Sequence, residues 1–355
     1  MNLTKPFLIS AAVLLGTAGT AAARPVAPPS FKVKVFASAG RGTSAPDDIA
    51  YLNGHVFVGW QNGVGTKGEP APKTHTTTST LVEYAKSGRA MNSWSLAGKI
   101  DGMAGDPGLK AIVATANEDG NSHLFTIKPS ARKSRQVQRY TYAPAPDGKG
   151  SSATHTGGGT DSVTVLPGGR ILVSASAPTS SKGAATFRVI LSGTTAHLLP
   201  TFADNAKATD ANTGNPVKLH LTDPDSSAFV PTGLDDPFGG QYALVSQADE
   251  EVIFAKGNKN LTREKLTYGD NSTPASIDDV RWAPTNNATL YVVDAKANKI
   301  YRVTGPFQAD DSVASMDTVG GKTFGGTVAS FNDGDGSLVP LITGFKAAKG
   351  LLFTP

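Results

Sequence analysis

From Phe31 onward, apolar positions come in short runs, some alternating with polar residues and some continuous, and Gly, Asn, Asp and Pro cluster between them. Almost nothing longer than about ten residues keeps the 3.6-residue spacing of an amphipathic helix. Runs of Val, Ile, Phe, Tyr and Thr bounded by turn-formers are the signature of strands, so the pattern predicts an all-β chain.

The strands repeat as a set. Five segments open on an acidic residue and continue as a strand, a turn and a second apolar strand. They are Asp48 with IAYLNGHVFVGW, Asp101 with GMAGDPGLKAIVATAN, Asp161 with SVTVLPGGRILVSAS, Asp225 with SSAFVP and later QYALVSQ, and Asp279 with VRWAPTNNATLYVVDA. Third strands follow as TLVEYAK, HLFTIKP, TFRVILS, EEVIFAK and NKIYRVTG, and fourth strands as MNSWSL, VQRYTY, AHLLPTF and LTREKLTY. The openings stand 53 to 64 residues apart, the size of a propeller blade with lengthened loops. A β-sandwich gives no reason for a repeated opening, and a β-helix repeats at a shorter period. The expected fold is a β-propeller occupying residues 31–355; roughly 325 residues at about 55 per blade give six blades, with five or seven also compatible with the length. The closing KGLLFTP reads as a first strand with no blade after it. FKVKVFAS, from Phe31 to Ser38, is expected to share a blade with the C-terminal strands and so seal the ring.

Three short stretches carry a family likeness. DAKANKIYRV, from Asp294 to Val303, resembles the D-x-x-N-x-I-x-R stretch of NHL-type and gluconolactonase-like six-bladed propellers. Pro-Asp-Asp-Ile-Ala at 46–50 and Lys-Gly-Leu-Leu-Phe at 349–353 resemble the strand that opens each of their blades. The resemblance implies a six-bladed fold. It also implies the chemistry of the gluconolactonase-like enzymes, where a calcium ion in the central channel is held by carboxylates and an Asn from several blades and polarises a lactone or ester.

Composition narrows the chemistry. The chain has no cysteine, which removes disulfides, thiolate metal sites and cysteine nucleophiles together. Residues 1–23 read as a signal peptide: Lys5, an apolar run from Phe7 to Gly16, and Ala21-Ala22-Ala23 before the cleavage point. The run is too short to span a bilayer, so an exported periplasmic or extracellular protein is expected, with no membrane span in the mature chain. RPVAPPS, from Arg24 to Ser30, is expected to be an extended Pro-rich spacer without fixed packing. The formal charge of +4 falls to +3 once Lys5 leaves, and the basic residues are scattered except for Arg132, Lys133, Arg135 and Arg139. Nucleic acid is therefore not an expected partner. A closed ring exposes no strand edge that demands one, so a monomer is expected.

First strands line the axis of a propeller, which would bring Asp48, Asp101, Asp161 and Asp279 around one mouth of the channel. Converging carboxylates repel unless a cation or hydrogen bonds offset them, and calcium is the cofactor such a ring allows; Asp carboxylates also commonly accept N–H groups of their own turns. Asn117, Glu118 and Asp119 form a polar loop between two strands and, with Trp60 and Asn62 at the base of a long loop, are candidate ligand contacts. Gly63-Val-Gly65-Thr-Lys-Gly68 matches G-x-G-x-x-G, but Glu69-Pro70-Ala71-Pro72 cannot begin the helix a dinucleotide needs. Asp333-Gly334-Asp335-Gly336 lacks the later ligands of a calcium loop and reads as a hairpin turn. The six histidines show no metal spacing, and G-x-S-x-G is absent. Two functions remain open. One is a non-catalytic exported propeller binding a protein, peptide or saccharide at one rim; the other is a calcium-dependent hydrolase of lactones or esters.

Overall fold

The computed structural model describes residues 24–146, 159–178, 183–232, 236–269 and 272–355. The signal-peptide assignment lies outside the described residues, as does most of the glycine run that follows His155.

Among the described residues the strands assort into four-stranded antiparallel meanders. The first is Pro46–Leu52, His55–Trp60, Thr78–Tyr84 and Ala90–Ala97; the second is Ile100–Asp106, Ala111–Ala116, His123–Ile127 and Val137–Ala143. The third runs through Thr160–Leu166, Arg170–Ala175, Ala184–Ser192 and Thr195–Ala203, and the fourth through Pro224–Phe229, Tyr242–Ser246, Glu251–Lys256 and Asn260–Lys265. Turn chemistry sets the tight connections: Asn53-Gly54, with φ of 51° and 86°, supplies the doubly positive backbone that a two-residue hairpin requires.

The last two meanders are interleaved. The inner strand Thr273–Trp282 pairs not with Thr289–Asp294, as its sequence neighbour would suggest, but with Ser312–Val319, and Thr327–Asn332 and Ser337–Thr343 complete that fifth sheet. The strands Thr289–Asp294 and Lys299–Thr304 belong to the next sheet. There they lie between the C-terminal strand Ala348–Thr354 on the inside and the N-terminal strand Lys32–Ser38 on the outside. The expected closure of the ring by both termini is thus present, while the expected Asp279 hairpin is replaced by an excursion into the neighbouring blade and back. The spacer also differs from expectation: Val26 exchanges two backbone hydrogen bonds with Thr343, at 2.7 and 2.9 Å, at the end of an outer strand whose start pairs with Thr267–Tyr268.

Inner strands of successive sheets touch one another all the way round, the sixth against the first. The architecture is an all-β propeller. Its core lies at the seams between blades. Ile49, Val56, Val58 and Trp60 of the first blade pack on Tyr291, Val293 and Ile300 of the sixth, and Val252 and Phe254 of the fourth pack on Val280, Trp282 and Phe331 of the fifth. Each large side chain buried this way contributes roughly 1.5–3 kcal/mol. The second strands are buried on both faces; every residue of Ala111–Ala116 and Tyr242–Ser246 is inaccessible.

Candidate functional site

Every inner strand from the first to the fourth blade breaks register near its start. The irregularity falls between Pro46 and Ile49, Ile100 and Met103, Thr160 and Val163, and Pro224 and Ser227. The fifth breaks around Asp278 and the sixth opposite Val292 to Asp294, at Lys349-Gly350. A bulge re-aims the side chains it carries. The residues at equivalent first positions are Asp47, Asp101, Asp161, Asp225, Asp278 and Lys349, and all of them line one cavity at the channel mouth. The four expected carboxylates, Asp48, Asp101, Asp161 and Asp279, all line this cavity, with Asp48 and Asp279 one residue beyond the first positions that Asp47 and Asp278 occupy.

The second positions do a different job. Asp48 accepts the Ile49 N–H at 2.6 Å and the Met103 N–H of the second blade. Asp279 accepts the Val280 N–H and the Ser226 hydroxyl through Oδ1, each at 2.8 Å, and the Leu351 N–H of the sixth blade at 2.8 Å through Oδ2; Arg281 lies 2.5 Å away. These two carboxylates latch blades together. Where the second position is glycine, backbones meet directly. A Cβ on Gly102 would stand 2.6 Å from the Asp161 carbonyl oxygen, and one on Gly350 would stand 2.6 Å from that of Asp47.

The cavity encloses about 370 Å³ and is lined by ten carboxylates and three cationic side chains, Lys99, Arg281 and Lys349. Burial pushes Asp161 and Asp225 well above the usual carboxylate range, with neighbouring acids adding to the effect. Burial raises Asp48 to about 8, against the pull of Arg281, and raises Asp223 and Asp278 to about 6. Asp101 is also raised by burial, while Glu118 is lowered because its hydrogen bond with Asp101 and the Lys99 ammonium outweigh its own desolvation. Lys349 pairs with Asp278, to which Gln247 also donates at 2.8 Å.

Three of the acids converge. Asp101, Glu118 and Asp161 each place a carboxylate oxygen within 4.8 Å of the others, the one such acidic group among the described residues. Lys99 stands in it, ion-paired with Glu118 and 3.4 Å from Asp101 Oδ2. Gln61 orients Asp101 through bonds of 3.0 Å to the Ile100 carbonyl and 3.3 Å to the Asp101 carboxylate.

The four carboxylates expected to hold calcium therefore separate into two pairs. Asp101 and Asp161 meet with Glu118, whereas Asp48 and Asp279 spend both oxygens on backbone N–H groups of the barrel itself. With Lys99 already among the remaining donors, the arrangement does not fit a resident calcium ion. Of the expected ligand contacts, Glu118 and Asp119 line the cavity. Trp60 is fully buried in the seam with the sixth blade and touches no ligand surface. Asn62 ties Ser44 to Thr78 and Thr80. Asn117 is buried and holds the Lys99 N–H at 2.9 Å and the Asn121 carbonyl at 3.1 Å. The Asp333 turn is a hairpin, its Asp333 accepting the Trp282 indole N–H at 2.7 Å.

No protein-family model matches the chain, and no curated protein matches it in sequence. Among solved structures, it is similar to a Bacteroides caccae protein of unknown function, with 12% identity, a TM-score of 0.47 and 88% of each chain covered. It is similar to a gluconolactonase from Xanthomonas campestris, with 10% identity, a TM-score of 0.40, and 79% of this chain and 91% of the other covered. It is also similar to virginiamycin B lyase from Staphylococcus aureus, with 11% identity, a TM-score of 0.35, and 77% and 99% covered.

Proposed function

We propose that this is an exported binding propeller whose ligand inserts a basic group, the ammonium or guanidinium of a peptide or partner protein, into the acidic mouth of the channel. The observation that supports this reading is the imbalance of ten carboxylates against three cations inside one cavity of about 370 Å³. Buried carboxylates of like charge are costly, and an incoming cation both relieves that cost and is drawn in by the field of the cleft. The bonding capacity is directional as well. Burial shifts Asp161 and Asp225 toward the protonated form, which can donate a hydrogen bond, while Glu118 is shifted toward the ionised form, which accepts one. Among the described lining residues none is aromatic, so a sugar ring finds no face to stack on.

The test is calorimetric titration, at low ionic strength, of three short peptides of equal length centred on lysine, glutamine or glutamate. The lysine peptide alone is expected to bind, with affinity falling as salt rises and falling at least about tenfold in Asp225→Asn. Equal binding of all three, or preference for the glutamate peptide, would remove the proposal.

A further inference from the structure

Lys99 precedes the inner strand of the second blade, its backbone fixed by the Asn117 side chain at 2.9 Å. Its side chain is 15% exposed and reaches back into the cavity, to Glu118 and Asp101. The carboxylate oxygens of Asp101, Glu118 and Asp161 lie within 4.8 Å of one another, near enough for one hard cation to reach all three, and the Lys99 ammonium already pairs with two of the acids. Asp161 supplies a second, independent observation. It is 5% exposed, it lines the cavity, and its carboxylate receives no hydrogen bond from a described residue. One donor of the three is left over after Lys99 has satisfied the other two.

We infer that Lys99 is the resident counter-ion of this cluster and determines which cations the mouth accepts. The tethered ammonium keeps divalent ions off Asp101, Glu118 and Asp161, and removing it turns the same three residues into a calcium centre. A free ion must break both contacts of Lys99 and drive its stem out of a nearly closed site, whereas the lysine pays no cost of association because the chain already holds it there. An ammonium also matches the mouth's proposed ligands in charge and hydration, so a site tuned by Lys99 discriminates against small divalent ions while remaining open to a second organic cation beside Asp161.

The experiment is a calcium titration, with magnesium as control, into chelator-stripped wild-type protein, Lys99→Met, Lys99→Arg and the double variant Lys99→Met/Asp161→Asn. Heat and melting temperature are both recorded. Wild type and Lys99→Arg are expected to show no calcium-dependent shift below millimolar concentrations. Lys99→Met is expected to bind calcium at least about tenfold more tightly than wild type, in the range of oxygen-ligated sensor sites, and to lose that gain in the double variant. Micromolar calcium binding by wild type that disappears in Asp161→Asn would overturn the inference, as would a folded Lys99→Met that binds no better than wild type. A Lys99→Met protein that folds only with calcium supports it. If that variant folds under neither condition, Lys99→Gln takes its place, and the wild-type titration retains its power to refute. The peptide titration above is a separate readout, so the binding proposal and the role of Lys99 can fail independently.

Discussion

Asp279 on the fifth inner strand accepts the backbone N–H of Leu351 on the sixth at 2.8 Å. The bond joins two blades whose strands are interleaved in the chain, and Asp48 repeats it between the first and second blades by accepting the Met103 N–H. Both carboxylates are held in place by an N–H of their own strand, so the latch is rigid before the neighbouring blade arrives. Asp279→Ala leaves the Leu351 N–H and the Ser226 hydroxyl without their acceptor and removes the carboxylate paired with Arg281, which keeps only the Ser227 and Val280 carbonyls. The expected loss is about 3 kcal/mol, with Asp279→Asn losing less. Urea unfolding of the two variants measures it.

Gly102 and Gly350 allow inner strands to approach backbone to backbone. Alanine at either position puts a Cβ 2.6 Å from a neighbouring carbonyl oxygen, which no rotamer change can relieve. Each variant is expected to lose about 2–4 kcal/mol. Alanine at Gly168, whose Cβ would meet nothing within 4 Å but whose φ is 85°, is expected to lose less, about 1 kcal/mol, through backbone strain alone. Denaturation midpoints compared across the three variants check the order.

Acids whose folded values are raised bind more protons in the native state than in the unfolded chain between the two values. Asp48, raised to about 8, and Asp223 and Asp278, raised to about 6, therefore contribute a stability that is fully present below the unfolded value of 3.8 and is lost as pH rises toward 8. Glu118 and Asp210, both lowered, act in the opposite sense at more acidic pH. Melting temperature is expected to fall from pH 5 to pH 8. Asp161→Asn replaces a buried carboxyl with a neutral isostere. It is expected to gain about 1 kcal/mol at pH 8 and to flatten the pH dependence, while weakening capture of a basic ligand. Thermal melts of the pair across this range test both signs.

Much of this architecture is legible in the residues. Asn53-Gly54 announces a hairpin, KGLLFTP shows itself as an unpaired first strand, and a C-terminal strand without a blade calls for a partner from the N-terminus. The interleaving of the last two blades is not legible. TLYVVD and SVASMDTV are both short apolar strands buried on both faces, so the choice of partner for Thr273–Trp282 is made by packing across the seam and not by local pattern. The register of the ring had a readable signal in the small residue that follows the charged one in Asp101-Gly102, Asp161-Ser162, Asp225-Ser226 and Lys349-Gly350. That signal is missing from Asp47-Asp48-Ile49 and Asp278-Asp279-Val280, where no Gly or Ser follows either aspartate, so the register of those two blades is not legible. Trp60 was equally readable: it closes HVFVGW, a near-continuous apolar run of the kind that is buried on both faces. Lys99 carries no motif; only the fold brings its ammonium to Glu118.

The mouth captures a cation with carboxyl groups that burial has raised well above the usual carboxylate range. A bound cation favours their ionised form, so binding must release protons. Calorimetry of the lysine peptide at pH 7, in two buffers of different ionisation enthalpy, counts them. Release of about one proton per site, reduced in Asp161→Asn, is the predicted result. Binding with no proton exchange, or with proton uptake, would contradict it.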